Sequence, residues 1–181
     1  MKIGRIYTII SVIVTLALAA GYTYIKISGK EPIDPTGTVS RSKNCDIRPE
    51  DHIVLDIYNE ALFPLDIKPG TPEYSFRTVI EKGYQETGIN FNGHYSVTSW
   101  GCGTSCQESA IIDATTGKVV KFKVRSEYGI SVKPNSSLLM VNATENLPDS
   151  QIMTNKDIKT SYYKMIDGNL VLICEEPAYE R

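Results

Sequence analysis

The sequence predicts an α+β fold that is mainly β, with one helix followed by an antiparallel sheet or meander of at least five strands, stapled by disulfides. Three observations carry this expectation. Lys118–Arg125 (KVVKFKVR) alternates apolar and charged residues, the period of a strand with one buried face. Asp113-Ala-Thr-Thr-Gly-Lys118 and Asp167-Gly168 are turn signals set between apolar runs at hairpin distances. Four cysteines, Cys45, Cys102, Cys106 and Cys174, form an even set that favours bridges in an exported domain.

Composition sets the outer bounds. The chain has 181 residues, 41% hydrophobic and 22% charged, which suits one domain with a real core and is too apolar for a disordered chain. Residues 1–26 carry Lys2, Arg5 and Lys26 and no acid. Without those three, 16 basic residues face 21 acidic ones, so the body is acidic. Nucleic acid is therefore not an expected partner, because phosphate contacts need a basic surface.

In chain order, residues 1–27 come first. Ile6–Ile25 is a run of 20 residues without a charge, and as a helix it would span about 30 Å, the thickness of a bilayer core. Lys2 and Arg5 before it hold the N-terminus in the cytoplasm and send the rest across. Two readings stand. Tyr22 and Tyr24 at the far end suit the interfacial belt of an uncleaved transmembrane anchor, with the membrane itself as partner. Ile6–Leu16 followed by Ala17-Leu18-Ala19 suits a cleaved signal peptide and a secreted or periplasmic product. Either way the rest faces an extracytoplasmic space. Residues 28–44 are rich in Ser, Gly, Pro and charge and read as a tether, leaving 45–181 as a single β-rich domain.

Within that domain, Ile53–Ile57 (IVLDI) reads as a short strand. Thr71, Pro72 and Glu73 are an N-cap, a first-turn proline and a first-turn acid. Phe76, Val79, Ile80 and Tyr84 recur at helical spacing up to Gly88, giving a helix over 72–86. His94–Trp100, Glu108–Ala114, Lys118–Arg125, Ser137–Asn142, Ser161–Ile166 and Asn169–Cys174 read as strands, and Asn146–Thr160 as a long polar connection. On Lys118–Arg125, Val120, Phe122 and Val124 are expected on one face and Lys121, Lys123 and Arg125 on the other. That basic stripe reads as a solvated face that guards an edge, with an anion-binding surface as the alternative.

The cysteines allow three connectivities. Gly101 and Gly103 permit the tight turns that a four-residue spacing needs, which favours Cys102–Cys106 and leaves Cys45–Cys174. A structural zinc site is disfavoured, because only one pair is close in sequence. No metal or cofactor is implied by the sequence.

Three segments together resemble a family of small exported bacterial proteins: Asn90-Phe-Asn-Gly-His-Tyr95, Trp100-Gly-Cys-Gly-Thr-Ser-Cys-Gln107 and Ala110-Ile-Ile-Asp-Ala-Thr-Thr-Gly-Lys118. The family pattern is similar to NFxGHY, WGCGTxCQ and a DxxTGK turn. A Ser137-Leu-Leu-Met-Val-Asn142 strand and a Tyr-rich C-terminal hairpin follow. The resemblance covers residues 71–174. It implies fold and export, not chemistry, and a bacterial source would make Asn135-Ser-Ser and Asn142-Ala-Thr chance sequons.

Two classes of function follow. The first is a non-enzymatic binding or inhibitory module of the envelope, similar in layout to immunity proteins, with an envelope protein as partner. Its candidate contact loop comprises His94, Tyr95, Trp100, Gly101, Gly103, Thr104 and Ser105; the competing reading of Tyr95 and Trp100 is core packing. The second is a thiol-dependent oxidoreductase or a hydrolase using Cys102, Cys106 and His94, or Ser105 with Glu108. No C-x-x-C, G-x-S-x-G or H-E-x-x-H motif is present, and no catalytic residue is assigned.

Overall fold

The computed structural model describes residues 45–147 and 157–178. The predicted span and tether lie outside them, as does much of the 146–160 connection. Among the described residues no helix is long and apolar enough to cross a membrane.

The fold is mainly β with one helix, as the sequence predicts. Among the described residues, seven strands form two antiparallel sheets. Strands β1 (Tyr95–Gly103), β2 (Cys106–Asp113) and β3 (Lys118–Ser126) make a three-stranded meander. Strands β4 (Ile130–Ser131), β5 (Leu138–Val141), β6 (Lys159–Ile166) and β7 (Asn169–Pro177) make a four-stranded one. The only helix longer than a 3₁₀ turn among the described residues is α1 (Arg77–Thr87), entered through a 3₁₀ turn at Pro72–Phe76. Thr71 does not cap it as expected. Its hydroxyl donates back to the Lys68 carbonyl at 2.9 Å, and the proline starts a 3₁₀ turn that becomes α-helical only at Arg77. Gly88 ends the helix at φ +63°, with its N–H on the Tyr84 carbonyl, as a C-terminal glycine should.

Layering follows from strand parity. Tyr95, Val97, Ile111 and Val124 on one face of the first sheet share a core with Leu139, Val141 and Met165 of the second. On the other face, Ala110, Ile112 and Ala114 pack against Ile80 and Tyr84 of α1, all five wholly buried. Ala110 in β2 and Ala114 just past its end are small and make room for Tyr84, whose hydroxyl donates to the Phe63 carbonyl at 3.0 Å. The outer face of the second sheet carries Leu138, Tyr162 and the Cys45–Cys174 bridge. That bridge closes 129 residues of chain, a loop for which the chain-entropy model gives roughly 4–5 kcal/mol. Beside it Glu176 accepts from the Cys45 N–H at 2.8 Å and from the Tyr162 hydroxyl at 2.6 Å, so the buried carboxylate is hydrogen-bonded.

The turns behave as their residues dictate. Asp167 and Gly168 take φ +48° and +75°, both positive as a two-residue hairpin of this type needs. Gly117 takes φ +71° and lies so close to the Pro64 carbonyl that a Cβ there would sit 1.9 Å from it, so glycine is required twice over.

Two further expectations need correction. Ile53–Ile57 is not a strand of either sheet. It runs extended and makes one isolated bridge, Ile53 with Ser136, while Ile53, Leu55 and Ile57 point outward. The short β4 was not foreseen. In β3 the expected alternation breaks at two register shifts against β2, one between Ser109 and Ala110 and one between Ile111 and Ile112. The first leaves Lys123 as an extra residue at φ +60°. Val120 and Val124 consequently face the inter-sheet core, whereas Phe122 turns to the α1 side.

Gly83 on α1 meets β1 at the closest point of this packing. A Cβ at Gly83 would lie 1.7 Å from Thr98 Oγ1. Alanine there would gain about 1 kcal/mol of helix propensity, yet Gly83→Ala is expected to lower stability by about 2 kcal/mol through overpacking. Denaturant unfolding checks the sign; a rise in midpoint would show that α1 does not press on β1 here.

Candidate functional site

The structure splits the predicted contact loop in two. Strand β1 runs from Tyr95, opposite Asp113, to Gly103, opposite Cys106. His94 and Cys102 therefore lie at opposite ends, eight residues or about 26 Å apart at the rise of a strand. His94 packs on the Tyr95 ring at 4.2 Å between centroids. Tyr95 is buried in the inter-sheet core, where burial and the Asp113 carboxylate push its phenol up. Both residues belong to the base of the hairpin.

At the far end, Gly101, Cys102, Gly103, Thr104 and Ser105 are all exposed. Cys102 and Cys106 are bridged, with Cα atoms 5.1 Å apart, so Gly103, Thr104 and Ser105 sit inside a covalent ring. The tight backbone is made at Gly103 (φ +140°) and at Ser105 (φ +50°) rather than at Gly101. Below the tip the hairpin is held by its ladder and by a 2.7 Å hydrogen bond between the Ser99 and Ser109 hydroxyls. A concave pocket of about 450 Å³ opens beside the tip, lined among others by Ser99, Trp100, Ser105, Gln107 and Glu127. Its polar side chains and the exposed loop amides can hydrogen-bond a partner without moving the backbone.

Trp100 bridges the tip and the core. Its ring packs on Phe76 at 5.5 Å and on Phe122 at 6.2 Å, while its indole N–H is buried with no partner. The ring thus packs against the core, and the residue also lines the pocket.

The sequence offered the neighbouring Glu108 only as a partner of Ser105 and missed the ion pairs that it makes. Glu108 lies opposite Trp100 on β2 and opposite Arg125 on β3, on the face toward α1. Its side chain is only 5% exposed, and its oxygens meet Arg125 at 3.3 Å and Lys123 Nζ at 3.6 Å. Lys123 also lies over Phe76 at 4.8 Å and Phe122 at 5.6 Å. The expected solvated stripe of Lys121, Lys123 and Arg125 is therefore not one surface. The β-bulge turns Lys123 toward Glu108, and only Lys121 stays outside this cluster. The Ser105–Glu108 pairing of the hydrolase reading is likewise not formed, since Glu108 faces the two cations.

In the bridged state neither Cys102 nor Cys106 offers a thiolate, and Cys45 and Cys174 are joined as well. Among the described residues no group of His, Cys, Asp and Glu is placed to hold a metal ion. At the base of the hairpin, burial alone would raise the Asp113 carboxyl. Hydrogen bonds from the Thr115 hydroxyl and amide and the Thr116 hydroxyl, with His94 nearby, outweigh it and hold the group below its ordinary value.

No family model, curated protein or solved structure matches this chain.

The Glu108 cluster has a directional consequence. Lys123→Ala with Arg125→Ala leaves a buried carboxylate unpaired and should cost about 3 kcal/mol. Glu108→Gln leaves two exposed cations that water can solvate and should cost clearly less. Urea melts of the two variants check the order; equal losses would refute it. At Asp113, a lowered folded-state pKa means that the stabilisation is present at neutral pH and is lost as the pH falls through the carboxylate range. Asp113→Asn should therefore melt below wild type at neutral pH, with the gap closing in acid. A pH series of thermal melts reads this directly.

Proposed function

We propose that this protein is a non-enzymatic binding module of the cell envelope, exported by its N-terminal segment and gripping a protein partner through the bridged tip of the β1–β2 hairpin. One observation carries the reading. The exposed tip, Gly101–Ser105, is closed by a disulfide on a hairpin whose base is buried between a helix and a second sheet. Such a loop is fixed before it meets its partner and loses little entropy on binding. The adjacent pocket, with Ser99, Ser105, Gln107 and Glu127, suits a polar side chain inserted from that partner. Two disulfides and an acidic body agree with an oxidising, extracytoplasmic address and with a protein partner rather than nucleic acid. The motif resemblance to small exported bacterial proteins points to the same compartment.

Thiol–disulfide exchange is the second reading, favoured by the exposure of Cys102. The two separate cleanly. A photo-crosslinking side chain at Thr104 should trap an envelope protein in the exporting cell, whereas one at the exposed Glu81 on α1 should not. Identical adducts from both positions would end the binding reading. The paired change Cys102→Ser and Cys106→Ser frees the loop and should weaken capture about tenfold without abolishing it. Rapid exchange with a small disulfide, lost in that variant, would move the assignment to redox chemistry.

A further inference from the structure

From Ile53 to Tyr58 the chain lies extended along two loops, and together with His52 at the end of the preceding 3₁₀ turn it binds them through its backbone. The His52 carbonyl accepts from the Ser137 N–H at 2.9 Å, and the Val54 N–H donates to the Asn135 carbonyl at 2.8 Å. The Tyr58 N–H donates to the Gly93 carbonyl at 2.8 Å. In an extended chain the N–H and C=O of neighbouring residues point to opposite sides. Leu55 and Ile57 accordingly turn theirs outward, where they meet no partner among the described residues. Their side chains join that of Ile53 on one face: Leu55 is 93% exposed, Ile53 55% and Ile57 43%. The result is an extended backbone edge with an apolar face, uncovered among the described residues, a feature that proteins ordinarily hide or break with charge or proline.

Charge along this stretch of chain is mainly negative, while Lys164 lies near His52 and the exposed Lys133 sits on the loop that Val54 pairs with. Between Asp46 and Glu60 the sequence holds five acids against Arg48, and Arg48 faces Asp46 at 3.8 Å. His52 contributes no steady positive charge, because burial and then the nearby Lys164 cation lower its pKa, against a smaller pull from Asp51. Glu50, Asp51, Asp56 and Glu60 are all exposed. A second copy is therefore a poor occupant: antiparallel pairing about Leu55 would bring the Glu50 end of one copy toward the Glu60 end of the other, acid against acid.

We infer that this edge docks an extended segment of a partner protein in which apolar and cationic side chains alternate. The segment adds as a strand along Leu55–Ile57, its amides pairing with the outward backbone groups and its apolar side chains covering Leu55. Its lysines or arginines meet the acids at both ends. This surface is separate from the hairpin tip and stands whether or not the tip is a contact.

Amide hydrogen exchange on the full chain in detergent micelles tests it, with a synthetic heptapeptide of alternating lysine and valine as the probe. Without peptide, the Leu55 and Ile57 amides should exchange fast and those of Val54 and Tyr58 slowly. Saturating peptide should slow Leu55 and Ile57 by about tenfold or more. Leu55→Lys, at a position exposed enough to leave folding intact, should remove that slowing, as should replacing the peptide lysines with glutamate. Peptide with alternate amides N-methylated cannot pair as a strand and should fail as well. The inference is overturned if the lysine–valine peptide slows nothing, or if its N-methylated form works equally well. It is also overturned if Leu55 and Ile57 are slow before peptide is added, which would give the edge to detergent, a second copy or another part of this chain.

Discussion

The middle of strand β2 has no solvent face, and the rest of the molecule is arranged around that constraint. From Glu108 to Ile112 every residue is buried, because α1 covers one side of the first sheet and the second sheet covers the other. A strand enclosed on both sides must have each side chain filled in or paired. Ile111 and Ile112 do this by packing, Ala110 by yielding space to Tyr84, and Ser109 by bonding Ser99. Glu108 does it by drawing two cations out of β3. The bulge that places Lys123 at φ +60° is thus where β3 accommodates a carboxylate on its neighbour. The non-glycine residue in that conformation carries a backbone cost of about 1–3 kcal/mol, set against the larger cost of a buried unpaired charge.

Much of this architecture could be read in advance where the signal is local. The Asp167-Gly168 hairpin, the glycine stop at Gly88 and the turn at Asp113–Gly117 depend on backbone angles that few residues adopt, so residue type nearly dictates structure there. The two bridges were legible because one short spacing leaves the other pair by default. The failures share a different cause. Ile53–Ile57 has a strand's composition, but pairing is a property of neighbours, and the neighbours here are loops. The Lys118–Arg125 alternation is real in the sequence and broken in space, because a bulge resets parity and leaves no local mark.

The same division runs through the candidate site. The bridged tip stands out in the sequence because cysteine and glycine are uncommon and their spacing limits the geometry. His94 and Tyr95 were grouped with it by nearness along the chain, and an extended strand turns such nearness into its full length of separation. The pairing of Glu108 with two cations went unforeseen for the opposite reason. Its partners lie about fifteen residues away on another strand, and only the register of β2 with β3 brings them together.

The Cys45–Cys174 bridge also fixes how the molecule would carry mechanical load. Tension arriving from upstream of Cys45 passes through the sulfur atoms into the middle of β7, a strand hydrogen-bonded along its length to β6. It does not act on the extended stretch around Val54, which is held by a few isolated hydrogen bonds and would peel off one bond at a time. The covalent shunt passes a pull on the leading end to the β6–β7 ladder and leaves the weakly held stretch around Val54 out of the load path.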